Sequence, residues 1–372
     1  MEVQRKLKFI RELLAAKKIN AVHLRGVDWF SWATGGGTSV VIMTNEIGVA
    51  EVLVTETEAW VLTNNIENSR LVKEELTEDF RVTSFPWQDT NAIENFVSEK
   101  IGQGLIASDR PRGKEPSLPK ELLIYKMKMQ PEEITRYRQM GKNAAEAMTE
   151  AMSLAKPDWT ENQLAGAGAK ALWSRGLEPT LILVAGESRK EIFRHPISKD
   201  AQLGSGAMMV FCARQYGLYA NFTRFVYFRD LNETEQKRFD SLFVIESAAF
   251  KATKAGHTLN HVYSALAFGY AAQGLTEEID KHHQGGPTGY LSRELVAKPL
   301  GEKFPGNKQT DLASDLKMES GMAFAWNPSL PGAKIEDTVL LSETGLEVLT
   351  VDPKWPVKEV NGLKRPNVWI RK

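Results

Sequence analysis

One segment constrains this chain more than any other: Arg110-Pro-Arg-Gly-Lys-Glu-Pro-Ser-Leu-Pro119, where three prolines, a glycine and four charges fall within ten residues. Proline fixes φ and removes a backbone donor, so neither a long helix nor a central strand can run through this stretch. It reads as a connector and divides the 372 residues into two units, as their number favours. The expected division is a first domain at 1–118, a linker at 119–130 and a second domain at 131–372.

The first part alternates in the manner of an α/β domain. Residues 1–20 carry Leu7, Ile10, Leu13 and Leu14 on one helical stripe. Strand-like runs follow at Ala21–Leu24, Ser39–Met43, Ala50–Val54 and Trp60–Leu62, then helices near 64–76 and 90–102 and a strand at Leu105–Ser108. Gly35-Gly36-Gly37 lacks the Gly-Lys-Ser/Thr ending of a phosphate loop and reads as a turn. Beyond the connector, Pro131-Glu132-Glu133 opens a long helix, with proline and acids suited to the positive end of its dipole. Helices are expected at 131–154, 160–175, 232–254 and 258–272, with strands at 180–184, 207–213, 216–229, 322–327 and 335–342. The order hints at a duplicated block of helix pair plus strands.

Composition excludes some classes of function. Lys plus Arg and Asp plus Glu are equal at 47 each, and no basic stretch is interleaved with aromatics, so nucleic-acid binding has no electrostatic support. No apolar run is long enough to cross a bilayer, and the amphipathic start MEVQRKLKFIRELL is not a signal peptide, so no membrane role is expected. A single cysteine, Cys212, suits a reducing, cytoplasmic compartment.

Four segments of the second part resemble the pita-bread family of aminopeptidases, prolidases and creatinase. They are Lys126-Met-Lys-Met-Gln-Pro-Glu-Glu-Ile134; Arg194-His195-Pro196 with Leu203–Val210; Gly217-Leu-Tyr-Ala-Asn-Phe-Thr223-Arg224; and Gly321–Pro328 with Ile335-Glu336-Asp337-Thr338-Val339. The resemblance implies an α+β fold: an N-terminal creatinase/prolidase-type α/β domain, then a C-terminal pita-bread domain. It also implies two divalent metal ions bridged by carboxylates, with a metal-bound water as nucleophile. The five family ligands, two Asp, one His and two Glu, fall here on Val210, Asn221, Gly286, Asn327 and Glu336. Only the last keeps its acid. Shifting the alignment by one does not restore the set, because Phe211 follows Val210 and the first acid after Gly286 is Glu294. The expectation is therefore no metal and no cofactor.

The remaining site expectations follow the resemblance. His195 resembles the family histidine beside the scissile bond, which serves as acid–base group in creatinase, and His282 resembles the second active-site histidine, with His283 pointing elsewhere. Glu336 has two open roles: a structural salt bridge to Lys334 or Arg224, or a partner for a cationic substrate group. Asn221 and Asn327 can hydrogen-bond a carboxylate or amide, while Arg293, Arg224 and Tyr290 complete the substrate-binding set. Gln284-Gly-Gly-Pro-Thr-Gly-Tyr290 is either a tight turn or a glycine-rich ligand wall. Cys212 shares a strand face with Val210, as packing or as a nucleophile helped by His195.

Three functions fit these residues. The first is a metal-independent hydrolase cleaving a C–N bond of a small polar molecule or short peptide, with His195 as acid–base group. The second is an inactive pseudo-peptidase that binds a ligand or protein, and the third a true metal-dependent Xaa-Pro peptidase. The family likeness also implies a homodimer in which Trp29, Trp32 or Gly35–Gly37 reach the neighbour's pocket.

Overall fold

The computed structural model describes residues 1–300 and 316–372. The chain forms two compact units, Met1–Glu133 making up the bulk of one and the residues from Ile134 onward the bulk of the other.

The first unit is a five-stranded sheet with helices. Helix Glu2–Lys17 buries Leu7, Ile10, Leu13 and Leu14 and ends at Lys18 in the left-handed region, φ 56°. The strands are β1 (Ala21–Gly26), β2 (Ile47–Thr55), β3 (Ala59–Asn64), β4 (Arg81–Phe85) and β5 (Ile106–Ser108), in the order β4-β3-β2-β1-β5. Ala21, Leu53, Trp60, Leu62 and Val97 form a core cluster between this sheet and helix Ala92–Ile101.

Several elements depart from the sequence expectation. The β-branched run 39–43 is not a strand; Val41 and Ile42 are exposed, because β2 takes the position beside β1. Val27–Ala33 is instead a short helix, and the helix expected at 64–76 is shorter, Asn68–Arg70 running directly into a wider π turn at Leu71–Glu75. The stretch 119–130 holds a helix, Lys120–Met127. Trp29 and Trp32 are fully buried and pack edge to face at 5.3 Å, so neither indole is available to reach a neighbouring subunit.

The second unit contains two helix pairs, each followed by sheet strands. Helices Pro131–Leu154 and Glu161–Trp173 precede β6 (Glu178–Ala185), β7 (Gly206–Gln215) and β8 (Leu218–Tyr227). Helices Glu233–Ala252 and Leu259–Ala272 precede β9 (Gly285–Thr288), β10 (Ala323–Trp326), the short β11 (Ser329–Leu330) and β12 (Ala333–Lys334), β13 (Asp337–Ser342) and β14 (Gly345–Val348). The chain closes with β15 (Val357–Val360), β16 (Leu363–Pro366) and β17 (Trp369–Ile370). Two four-stranded sheets result, β17-β8-β7-β6 and β14-β13-β10-β9. Capping boxes at Thr160/Gln163 and Asn232/Glu235 start the second helix of the first pair and the first of the second, each cap contributing about 1 kcal/mol.

The two sheets meet at a bridge between Thr223 of β8 and Glu336, where Thr223 N donates to Glu336 O at 3.1 Å. Side chains alternate across a strand, so Leu181 and Leu183 on β6 share a face with their cross-strand partners Cys212 and Val210 on β7. The opposite face of β7 carries Met209 and Phe211 against Gly168 of helix Glu161–Trp173. That helix closes one side of the sheet; the other side is a cavity.

Candidate active site

The cavity, about 390 Å³, lies wholly within the second unit. Leu181, Leu183, Val210 and Ile197 make an apolar wall, while His195, His283, Cys212, Ser292, Arg293, Asn327, Lys334 and Glu336 supply polar groups. His195, Asn327, Arg293 and Glu336 of the expected set thus come together. His282 is buried behind His195, and Asn221 is fully buried. Arg224 and Tyr290 are not among the lining residues.

Glu336 is spoken for. Its Oε1 accepts from Arg293 Nη2 at 2.6 Å, and its Oε2 accepts from the Thr223 hydroxyl at 2.8 Å. Burial alone would raise this carboxyl, but Lys334 and Arg293 outweigh it and hold the group below the usual carboxylate range. The bridge anticipated with Arg224 does not form. Arg224 instead joins Asp337 Oδ1 at 2.7 Å and the Thr350 carbonyl, and Asp337 also binds Arg365, which pairs with Glu246. A substrate cation would have to displace Arg293 to reach Glu336.

Asn221 braces the wall. Its Nδ2 donates to Thr288 Oγ1 at 2.9 Å and to the Ser292 carbonyl at 3.3 Å, holding the turn that carries Arg293. The Oδ1 atoms of Asn221 and Asn327 are buried without a hydrogen-bond partner.

The histidines form a chain. His282 Nδ1 lies 2.6 Å from the His283 carbonyl, which can only accept, so Nδ1 carries the hydrogen and Nε2 is bare. His282 Nε2 therefore accepts from His195 Nε2–H at 2.9 Å, leaving His195 Nδ1 for the cavity. Burial and the Lys334 charge disfavour imidazolium at all three positions. His195 is lowered, His283 falls to about 4 and His282 to about 2. His283 does not point away from its neighbour: the rings of His282 and His283 stack at 4.4 Å. Together with His195 they place one nitrogen each within 4.8 Å of one another, the group with metal-donor spacing among the described residues.

The glycine-rich segment is neither a turn nor a ligand wall. Gly285 and Gly286 lie on β9, where backbones crowd. A Cβ at Gly285 would sit 2.0 Å from the Ala325 carbonyl oxygen, and one at Gly286 would sit 2.4 Å from that of Leu295. This bears directly on the family's metals. Val210 has no donor, Gly286 has no room for a histidine, the Asn221 amide faces Thr288 and Ser292, and Glu336 is paired with Arg293. The residues present do not fit a dinuclear centre.

Lys334 was missed as a site residue. The sequence offered it only as a salt-bridge partner for Glu336, two positions on in a strand-like run, and its ammonium is 3.9 Å from that carboxylate. Cys212 also lines the cavity, but burial and the Glu336 charge push its thiol up to about 12, so it is no thiolate at neutral pH.

The two sheets with their paired helices, and the position of the cavity on them, define a pita-bread fold. Residues 135–343 match the model of metallopeptidase family M24, and the chain belongs to that family. Its fold is similar to that of the prolidase from Pyrococcus horikoshii, at 16% identity and TM-score 0.76 over 93% of this chain and 98% of that one. It is likewise similar to the X-Pro aminopeptidase from Thermotoga maritima, at 18% and 0.75 over 94% and 98%. The N-terminal domain of FACT complex subunit SPT16 from Cicer arietinum shares the fold at 13% and 0.70, over 94% and 96%. No curated protein matches the sequence. Among the described residues no helix is long and apolar enough to cross a membrane.

Proposed function

We propose that this chain hydrolyses a C–N bond of a small molecule without the dinuclear metal centre of its family, using His195 to move the proton. The observation that carries this is the His195–His282 contact at 2.9 Å, which engages Nε2 of a histidine lining the cavity and leaves Nδ1 as a base. In this reaction Nδ1 takes a proton from water as the water oxygen bonds to the amide carbonyl carbon. The C–N bond then breaks and the same proton passes to the leaving nitrogen, giving a carboxylic acid and an amine. His282 fixes the ring and its tautomer, and the Arg293–Glu336 pair forms part of the same lining. A homodimer in the cytoplasm belongs to this proposal, and the single cysteine suits that compartment.

A second reading, a binding module without turnover, draws support from the engagement of Glu336 with Arg293 and Thr223. With that carboxylate occupied, His195 is the candidate general base in the lining. The test is to purify the chain, measure bound metal, and screen hydrolysis of amides, creatine-like compounds and Xaa-Pro dipeptides with and without chelator. Cleavage that resists chelator and is lost in His195→Ala supports the hydrolase. Chelator-sensitive dipeptide cleavage with stoichiometric metal overturns both readings, and ligand binding without any turnover selects the second.

A further inference from the structure

Four lysines are buried among the described residues: Lys6, Lys126, Lys190 and Lys334. Three have close acceptors. Lys6 Nζ reaches Glu2, Glu133 and the Trp32 carbonyl at 2.7–2.8 Å, Lys126 reaches Asp28 at 2.6 Å, and Lys190 reaches Glu191 at 3.1 Å. Lys334 differs: it is 5% exposed, and no hydrogen bond of its Nζ is formed among the described residues. The Glu336 oxygen 3.9 Å away already accepts from Thr223. A largely buried ammonium without a hydrogen-bond acceptor favours an anion beside it, and this one lines the cavity.

Other groups around it narrow the occupant. Asn327 also lines the cavity, and its Oδ1 is buried without a donor. The carboxylate in the lining, Glu336, has both oxygens engaged, so no acid stands ready for a substrate ammonium. Burial lowers the Lys334 pKa and Glu336 opposes that shift; with Lys334 protonated and the histidines uncharged, Lys334 and Arg293 leave the lining one positive charge in excess over Glu336. The far side is hydrocarbon.

We propose that the cavity binds monocarboxylates of the N-acyl amino acid type, with the carboxylate on Lys334 Nζ, the amide N–H on Asn327 Oδ1, and the acyl group against Leu181, Leu183, Ile197 and Val210. This deepens the hydrolase reading by naming a substrate class with a blocked amine, and it rests on that reading only for the fate of the amide bond. Recognition itself needs no turnover.

Calorimetry on the full chain with N-acetylglycine, N-hexanoylglycine, N-hexanoylglycinamide and glycylproline tests it. The expected order is N-hexanoylglycine tightest, N-acetylglycine weaker, and the uncharged amide at least about tenfold weaker than its acid, the scale of losing a charge-assisted contact. Lys334→Met, checked for folding by its thermal transition, should lose the same factor for the acids and little for the amide. Equal binding of acid and amide, tighter binding of glycylproline, no binding of any acid, or a folded Lys334→Met that binds like the parent would each overturn the proposal. If Lys334→Met does not fold, the acid-against-amide comparison on the parent chain decides. Cleavage is followed separately: acids that bind but are not hydrolysed leave the ligand class standing and sink the hydrolase.

Discussion

Arg293 Nη2 and Glu336 Oε1 form an ion pair of 2.6 Å, with side chains 15% and 3% exposed. The guanidinium neutralises a carboxylate that the resemblance sets at a metal-ligand position. Removing Arg293 leaves Glu336 with Lys334, 3.9 Å away, as its remaining counter-charge. Arg293→Ala should therefore destabilise the chain by less than about 3–5 kcal/mol, the cost of a fully orphaned buried charge, and Arg293→Leu with Glu336→Leu by more, since it strips the buried Lys334 of its counter-charge. Urea unfolding of the single and double variants measures both, and equal losses would contradict this.

Gly286 gives a second prediction. Its missing Cβ leaves room for the Leu295 carbonyl, so Gly286→Ala should cost at least about 1–3 kcal/mol through overpacking of backbone. Rebuilding all four lost ligands, Val210→Asp, Asn221→Asp, Gly286→His and Asn327→Glu, should yield a less stable chain without two bound metals. Metal analysis after dialysis checks this.

Stability should also depend on pH through Glu336. Its folded pKa lies below the unfolded value of about 4.3, so the carboxylate's contribution is fully present above that value. The contribution is lost as pH falls through the lower folded value. Glu336→Gln should flatten the acid limb of a urea-midpoint profile, and an unchanged profile would contradict the assignment.

Turnover should depend on neutral His195. Burial and Lys334 lower its pKa, so activity should persist below about pH 6.5 and fall only as the ring takes up a proton at lower pH. His195→Ala should reduce kcat by about 10²–10⁴-fold. A pH–rate profile with its acid limb above the ordinary histidine value would argue against this base.

Cys212 should be inert. Its thiol, raised to about 12, should react with a disulfide reagent only upon unfolding, and Cys212→Ser should retain turnover. Rapid labelling of the folded chain would contradict this.

Much of the fold was legible because it rests on local rules. The stripe Leu7, Ile10, Leu13, Leu14 and the proline-and-acid opening at Pro131 are short-range signals, and the structure follows them. The β-branched run 39–43 misled because strand propensity does not decide which segment obtains a neighbour. Strand β4, with no residue fully buried, carried too weak an apolar pattern to be seen.

The sequence by itself carried the family motifs, and with them the resemblance that sets Val210, Asn221, Gly286 and Asn327 at ligand positions and His195, His282 and Glu336 at matching site positions. Those are identities at positions, and spacing along the chain preserves them. Only the tertiary structure decided that Arg293 closes on Glu336 from 43 residues away, that β9 leaves no space at Gly286, and that Lys334 is buried without an acceptor. Each depends on which backbones the two sheets bring together, and the long-range packing that sets desolvation and charge pairing has no signature in local pattern.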